Sequence, residues 1–567
     1  MKIKHILGEE VWEKEVEGER TFLLGNDIGD YIWMADEAES RYQGWFFSPE
    51  KEKGKKLYKV IEDIGPVDRK EVEIIGNHFK GVERKRGDLI EKFFIAENSH
   101  ALLYELSSTE TVELVLDIRE SYSDSYPDYH IEEVEEGLLI SSNKEGEELF
   151  LAIKGFESFE KIEKGIVRTY QFDKERSSPP FEKAVFSALE MTGRSFLFFA
   201  SESREEALSE IKKEHKFNFL EEKKEPIDFV SAETGLDNLL VDGQRVYAGF
   251  PWFFQFWERD EAIVLRGLNV IDEKRARSLF WSLLRGNRTG PKENHLADSA
   301  GWIFKRAFLF INSFNQQEER ELVDSLRQEV DFNPDEILKV TGPKETWMDS
   351  LPRQGARIEI QSLQLSMYKL GRLIDEENEE KYTELEEKLK RRVRNIFWDG
   401  SILADGYFPE TDYLDRTIRP NIFLAYYIYP ELLSDEEWKI CFRRSLHELW
   451  LDWGGLASIS RENPRFNLKH TGENPQSYHQ GDSWFFVNNL AAIAMHRLDE
   501  GKFSYEINKI LEASRTDMMW NGAVGHHSEV SSAEELRAEG AISQAWSFST
   551  YLEALHEIFK VKNFNWN

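Results

Sequence analysis

The first third of the chain is patterned like strands. In TVELVLDIR, Val112, Leu114, Leu116 and Ile118 alternate with Glu113, Val115 and Asp117. That period of two points successive side chains to opposite faces of a strand. Short apolar runs of the same kind recur in LFLAIKGF, IVRTYQF and SFLFFA, parted by polar turns such as SNKEGEE. Many short strands with turn signals between them predict an antiparallel β-sandwich over residues 1–220. ESREEALSEIKKEH then predicts a helix, and the charged EEKKEP that starts at residue 221 predicts a linker over 221–227. Beyond it the period changes. Leu363, Met367, Leu370 and Ile374 follow i, i+4, i+7, i+11, one face of a helix. Similar stretches near 228–241, 260–285, 300–330, 361–373, 381–396, 421–433, 436–450, 483–497, 503–513 and 541–560 predict about ten to twelve helices. Their long connections are rich in Gly, Pro, Trp and His. This texture predicts a toroid of paired helices over 228–567 with its site on the loop-bearing face. No repeat of fixed length is visible, which disfavours a solenoid.

Charge narrows the partners. The 567 residues carry 73 Lys+Arg against 106 Asp+Glu, a net charge of −33. A surface of that sign repels a phosphate backbone and an anionic membrane, so a neutral ligand fits best. The 16 Trp supply flat apolar faces that suit sugar rings as well as cores. The single cysteine, Cys441, allows no intrachain disulfide and no thiolate cluster. The start, MKIKHILGEEVWEKEVEG, lacks a long apolar stretch, and no run approaches 18 apolar residues. A soluble cytoplasmic protein is expected. Oligomeric state and source habitat leave no mark in the pattern.

Five loops carry candidate chemistry. In YAGFPWFFQFWERDEAIVLRGL, Trp252 and Trp257 precede Arg259 and Asp260 at the start of an apolar helix. An Arg–Asp pair there can hydrogen-bond vicinal sugar hydroxyls while a ring stacks on the sugar face. The plainer alternative is a charged helix N-terminus beside core tryptophans. In ETWMDSLPRQGARIEIQSL, Asp349 follows Trp347, and Glu359 lies on the next helix. A carboxyl beside an indole is desolvated, which raises its pKa as a general acid requires, although a capping Asp looks the same in sequence. RPN places Arg419 and Asn421 before another apolar helix, and SYHQGDSWFF offers His479, Gln480 and Trp484. His479 lacks a second ligand at HExxH-like spacing, so no metal is expected. In GAVGHHSEVSSAEELRAEGAISQAWSF, Glu529 precedes a final helix that begins near Ala541 and carries Gln544, Trp546 and Ser547. Adjacent His526 and His527 cannot easily face one site. Glu529 lies 529 − 349 = 180 residues after Asp349, so only the fold can pair them. Paired carboxylates flanking a sugar are the machinery of glycoside hydrolysis. No G-x-S-x-G follows a strand and no GxxxxGK[ST] occurs, which weakens serine-hydrolase and nucleotide alternatives.

Taken together and in this order, these segments resemble the amylo-α-1,6-glucosidase domain of glycogen-debranching enzymes. That family's run of PWF…W-G-R-D, T-W-M-D, R-x-G-x-x-V-E-I, R-P-N, Y-H-x-G-x-x-W and S-E before Q-A-W-S stands here as PWFFQFWERD, TWMD, RQGARIEI, RPN, YHQGDSW and SEV…SQAWS, over about residues 245–548. FLLGNDIGDY and SRYQGWFF resemble the family's N-terminal pattern more loosely. The resemblance implies a supersandwich-like antiparallel β-sandwich followed by an (α/α)6 toroid, as in glucoamylases, and no cofactor. It implies that Asp349 protonates the glycosidic oxygen and that Glu529 activates water from the opposite face, with inversion. Arg259 and Asp260 would hold the terminal glucose. Trp252, Trp257, Trp347, Trp484 and Trp546 would wall the pocket, with Glu359, Arg419, Asn421, His479, Gln480 and Gln544 as polar contacts. The implied substrate is glycogen or branched dextrin. Glu258 stands in place of the family's usual Gly, Asp482 in place of a Thr-like residue, and RPNI in place of RPNQ. These departures leave linkage preference open. Over these 567 residues no amylase-type barrel like that of large bifunctional debranchers is expected. The alternatives are a glucoamylase- or trehalase-like exo-α-glucosidase, a disaccharide phosphorylase in which a phosphate pocket replaces the base, and a non-catalytic glucan-binding protein.

Overall fold

The computed structural model describes residues 1–49, 53–123, 126–144, 147–220, 222–289, 297–330 and 337–561. Residue 221 of the expected linker, and the last six residues of the expected helical domain, lie outside the described residues. The chain forms two compact units. The first comprises Met1–Gln255, Thr516–His527 and Ala541–Gln544, and the second comprises Phe256–Arg515, Ser528–Gly540 and Ala545–Asn567. Residues 228–255, which the sequence pattern groups with the helices, therefore pack with the strands.

The first unit is built on a branched 14-stranded sheet. One path runs through Asp128–Val134, Gly137–Lys144, Glu147–Thr169, Glu182–Ser201, Ala101–Glu120, Leu89–Ile95, Val82–Arg86, Ile74–Asn77, Lys2–Leu7 and Glu10–Glu15. The branch leaves Ala101–Glu120 through Tyr58–Pro66, Gly44–Phe47, Tyr31–Met34 and Phe22–Gly25. Pairing is antiparallel except between Lys2–Leu7 and Ile74–Asn77, which is parallel. Register shifts between Glu105 and Glu110 and between Leu114 and Val115 bend the longest strands, as bulges do. One hydrophobic core then draws side chains from both the path and the branch.

Val112, Leu114, Leu116 and Ile118 enter that core, as their alternation predicts. Val115 and Asp117 on the other face are buried as well. Asp117 tolerates this because Arg119 and Lys59 pair with it.

The second unit is helical. Glu258–Ile271, Ser299–Ala307, Ile358–Ile374 and Asn421–Ile428 pack neighbour against neighbour, and Ala545–Phe559 packs back on Glu258–Ile271. Glu273–Thr289, Gln316–Glu329, Glu379–Phe397 and Asp435–Leu449 follow them as outer partners. This inner and outer alternation is the expected (α/α)6 arrangement. Close approach is enforced by glycine: a Cβ on Gly267 would lie 2.3 Å from the Ser549 carbonyl oxygen, and one on Gly301 would lie 2.6 Å from the Leu363 Cβ. Ile358–Tyr368 is buried on every side, not only along the apolar stripe, because an inner helix has neighbours all round. The long segment Phe485–Thr516 is two helices joined at Asp499, whose backbone leaves helical geometry.

Candidate active site

Asp260 does not cap its helix. Trp257 occupies the N-cap without a side-chain cap bond and remains 43% exposed. Arg259 and Asp260 instead turn to each other in the first turn, with Arg259 Nε 3.6 Å from Asp260 Oδ2. The same guanidinium reaches Asp298 Oδ2 at 3.7 Å and Asp349 Oδ2 at 3.5 Å. Three carboxylates thus share one cation. Burial outweighs Arg259 at two of them, pushing Asp260 up to about 7 and Asp298 up to about 6. Asp349 is also raised from its ordinary value, by desolvation against the pull of Arg259. Its side chain is still 42% accessible, so the protein desolvates it without sealing it off.

The loop bearing Asp349 is closed by an antiparallel bridge between Val340 and Gly355. The Trp347 indole N–H donates to Asn421 Oδ1 at 2.8 Å, and Asn421 Nδ2 donates to Asp405 Oδ1 at 2.7 Å. Arg353 ties this loop to Glu359 at 2.7 Å and to Asp405 at 3.1 Å. Burial, opposed by Arg353, pushes Glu359 up to about 7. Glu359 therefore anchors the loop from its helix. Arg419 donates to the carbonyls of Ser458 and His479 at 2.9 and 2.8 Å, and burial brings it down to about 10.

His479 shares a 2.6 Å hydrogen bond with Ser350 and stacks on Trp484 with centroids 4.7 Å apart. Burial, with Arg419, Arg353 and Arg259 adding repulsion, drives its imidazole well below the usual value, so it is neutral. Trp347 meets Trp484 edge-on at 5.4 Å, Trp484 meets Trp546 at 5.8 Å, and Phe486 stacks on Trp546 at 4.3 Å. Gln480 lies beside this cluster in the chain, half-buried, with Nε2 3.4 Å from the Gln476 carbonyl.

Glu529 is buried, with 2% exposure, next to a small antiparallel sheet in which Val530 faces Trp484 and Val530–Ser531 also pairs with Ala538–Glu539. Gly540 leaves room for it: a Cβ there would lie 2.4 Å from Glu529 Oε2, and the backbone φ of +69° already favours glycine. Tyr478 donates its hydroxyl to Glu529 Oε1 at 2.5 Å. Burial first, then Glu529, Asp349 and Asp260, hold the phenol well above its usual value. Carboxylates from three distant stretches of chain thus bear on one hydroxyl.

Of the sequence-selected residues, Arg259, Asp260 and Asp349 meet around one guanidinium, and Trp347, His479, Trp484 and Trp546 form one aromatic cluster joined to Asn421. Trp252 and Gln544 belong to the first unit. There the Arg176 guanidinium lies 3.6 Å over the Trp252 ring, and the Gln544 N–H donates to the His527 carbonyl at 2.9 Å. His526 bonds Leu23 and Ser543, and His527 bonds Asp517, all within the first unit. Asp298, Tyr478, Arg353 and Asp405 escaped selection. Tyr478 stood inside YHQGDSW, but its partner lies 51 residues onward. Asp298 belongs to no motif. Among the described residues, no three His, Cys, Asp or Glu side chains are grouped so as to hold a metal ion, and no helix is long and apolar enough to cross a membrane.

Residues 312–553 match the family model described as amylo-alpha-1,6-glucosidase. A bacterial glucoamylase solved in complex with acarbose superposes with a TM-score of 0.58 at 11% identity, covering 97% of this chain and 96% of that one. A mannosylglycerate hydrolase from Thermus thermophilus, solved with glucose, has a TM-score of 0.44 at 12% identity, covering 57% of this chain and 98% of that one. No curated protein matches the chain. The fold is that of a glucoamylase-type glycoside hydrolase, and residues 312–553 carry the sequence pattern of the amylo-alpha-1,6-glucosidase family.

Proposed function

We propose that the protein is an inverting glycoside hydrolase that releases glucose from α-1,6 branch points of glycogen or branched dextrin. Asp349 protonates the glycosidic oxygen as the bond to C1 breaks. Glu529 takes a proton from a water that attacks C1 from the opposite face, so glucose leaves with its anomeric configuration inverted. Arg259 and Asp260 hold the terminal glucose hydroxyls, and the cluster of Trp347, Trp484 and Trp546 walls the ring. Trp257, Arg419, Asn421, His479 and Gln480 complete the proposed pocket.

The observation that carries this reading is the Tyr478 hydroxyl, bonded to Glu529 and within the field of Asp349 and Asp260. It supports a pairing of two carboxyls 180 residues apart (529 − 349). The raised carboxyl of Asp349 suits a general acid near neutral pH. The family match over 312–553 favours the branch linkage. A second reading, an exo-α-glucosidase acting on linear α-glucans, draws on the likeness to the bacterial glucoamylase. A cytoplasmic location is part of the proposal and is supported by the single cysteine.

Chromatography of the products from a limit dextrin, beside maltooligosaccharides and trehalose, separates these readings. Glucose from the dextrin's single-residue branches supports debranching. Preferential hydrolysis of maltooligosaccharides would favour the second reading, and release of glucose 1-phosphate only with added phosphate would overturn both.

A further inference from the structure

Glu529 accepts a hydrogen bond from a phenol. Tyr478 Oη lies 2.5 Å from Glu529 Oε1, and its own position is fixed independently of that bond. The Trp484 indole N–H donates to the Tyr478 carbonyl at 2.7 Å. The Tyr478 ring packs edge-on against Trp484 at 4.7 Å and against His479 at 4.9 Å. Trp484 is in turn registered opposite Val530, the residue after Glu529. The donor and the carboxylate are therefore both tied to one pair of strands, and Tyr478 cannot rotate away without disrupting the aromatic cluster.

The other charged groups near this sheet are already engaged. Asp482 accepts from Ser477 and lies 2.8 Å from His470, while Glu539 lies 3.2 Å from Arg537 and 3.9 Å from His470. Asp349 and Asp260, both anionic when ionised and both facing Arg259, also act on the phenol through their charge.

We infer that Tyr478 is a positioning residue for the base: its hydroxyl fixes Glu529 for proton abstraction from water and stabilises the charged carboxylate beside other carboxylates. A neutral donor suits this place. A lysine or arginine there would pair with Glu529 strongly enough to weaken it as a base, and its charge would also favour the ionised form of Asp349. The inference rests on the assignment of Glu529 as base, and its test includes a variant that examines that assignment separately.

The test uses the full-length enzyme and glucose release from branched dextrin. In Tyr478→Phe, kcat falls about 10–100-fold with KM nearly unchanged, as expected when a reacting group is misplaced and binding is not. The acidic limb of kcat/KM moves to higher pH, because the charged form of the base has lost a hydrogen bond. Replacing Tyr478 with 3-fluorotyrosine, nearly isosteric and a stronger donor, moves the same limb to lower pH. Melting temperature serves as the folding control, and the fluorinated enzyme preserves the test if Tyr478→Phe fails to fold. Unchanged kcat and an unmoved acidic limb in both variants, with Glu529→Gln inactive, would overturn the role of Tyr478 while leaving Glu529 as base. An active Glu529→Gln enzyme would instead remove the base assignment, and this inference with it.

Discussion

Asp349 and Glu529 sit in unlike surroundings. Asp349 is partly open to solvent and shares a single guanidinium with Asp260 and Asp298. Glu529 is closed in by a sheet, a glycine and a tyrosine. The contrast suits the proposed roles of Asp349 as acid and Glu529 as base. A general acid must keep its proton near neutral pH, so its one countercharge has to be weak, and dividing Arg259 among three carboxylates makes it weak. A base must be anionic and fixed, and a neutral hydroxyl donor provides both without cancelling its charge. On the proposed roles, one chain fits two carboxyls to different tasks by changing the neighbours rather than the residue.

The sharpest way to break this comparison is to remove each carboxylate's chemistry without its shape. Asp349→Asn and Glu529→Gln should each lower kcat by about 10²–10⁴-fold in a glucose-release assay, with melting temperature unchanged. If either enzyme keeps most of its activity, its half of the comparison fails. Next in size is Arg259→Lys. A lysine cannot bridge three carboxylates with one planar fork, and kcat/KM should fall by about 10²-fold.

A smaller effect tests the divided countercharge itself. In Asp298→Asn, Arg259 loses one competitor and turns more fully to Asp349, while a repelling charge is removed. Both changes favour the ionised acid, so the alkaline limb of kcat/KM should move to lower pH. A limb that stays in place or moves upward would mean Asp298 does not compete for Arg259. The smallest effect is on stability. Asp298 titrates near 6 in the fold against 3.8 in the unfolded chain, so the folded protein binds more protons between those values. The stability this gives is complete below the unfolded value and is lost as pH rises through the folded one. Asp298→Asn should therefore raise the melting temperature at pH 8 by about 2 °C and leave it nearly unchanged at pH 4, as differential scanning calorimetry can measure.

Local periodicity carried much of the fold. The alternation at Val112–Ile118 marks true core positions, and the stripe from Leu363 marks an inner helix, because both patterns arise from neighbours a few residues away. What periodicity could not convey is burial on the second face. Asp117 reads as the polar side of a strand and Glu359 as a polar contact of the pocket, yet both are buried, each held by an arginine that local sequence does not single out as its partner. Unit boundaries were hidden for a related reason. Residues 516–527 and 541–544 read as loop and helix start, and they join the strands through contacts such as His5 with the Met519 carbonyl, 514 residues apart.

The candidate site was legible where a motif packs acid, base or ring side by side, as in WERD and TWMD. Asp298 and Tyr478 matter through partners 39 and 51 residues away, and no spacing rule reaches that far. Tryptophan count was a looser guide. Trp347, Trp484 and Trp546 do cluster, whereas one face of Trp252 is taken by Arg176.

The two carboxyls should stand roughly 6.5–9.5 Å apart across the bound sugar, with room for a water, if they invert. The anomer of the first glucose released tests this most directly. Proton NMR of the earliest product from branched dextrin, followed before mutarotation, should show β-glucose from an α-linked substrate. If α-glucose appears first, configuration is retained, Glu529 does not act on water in a single displacement, and the account of two unlike carboxyls is wrong.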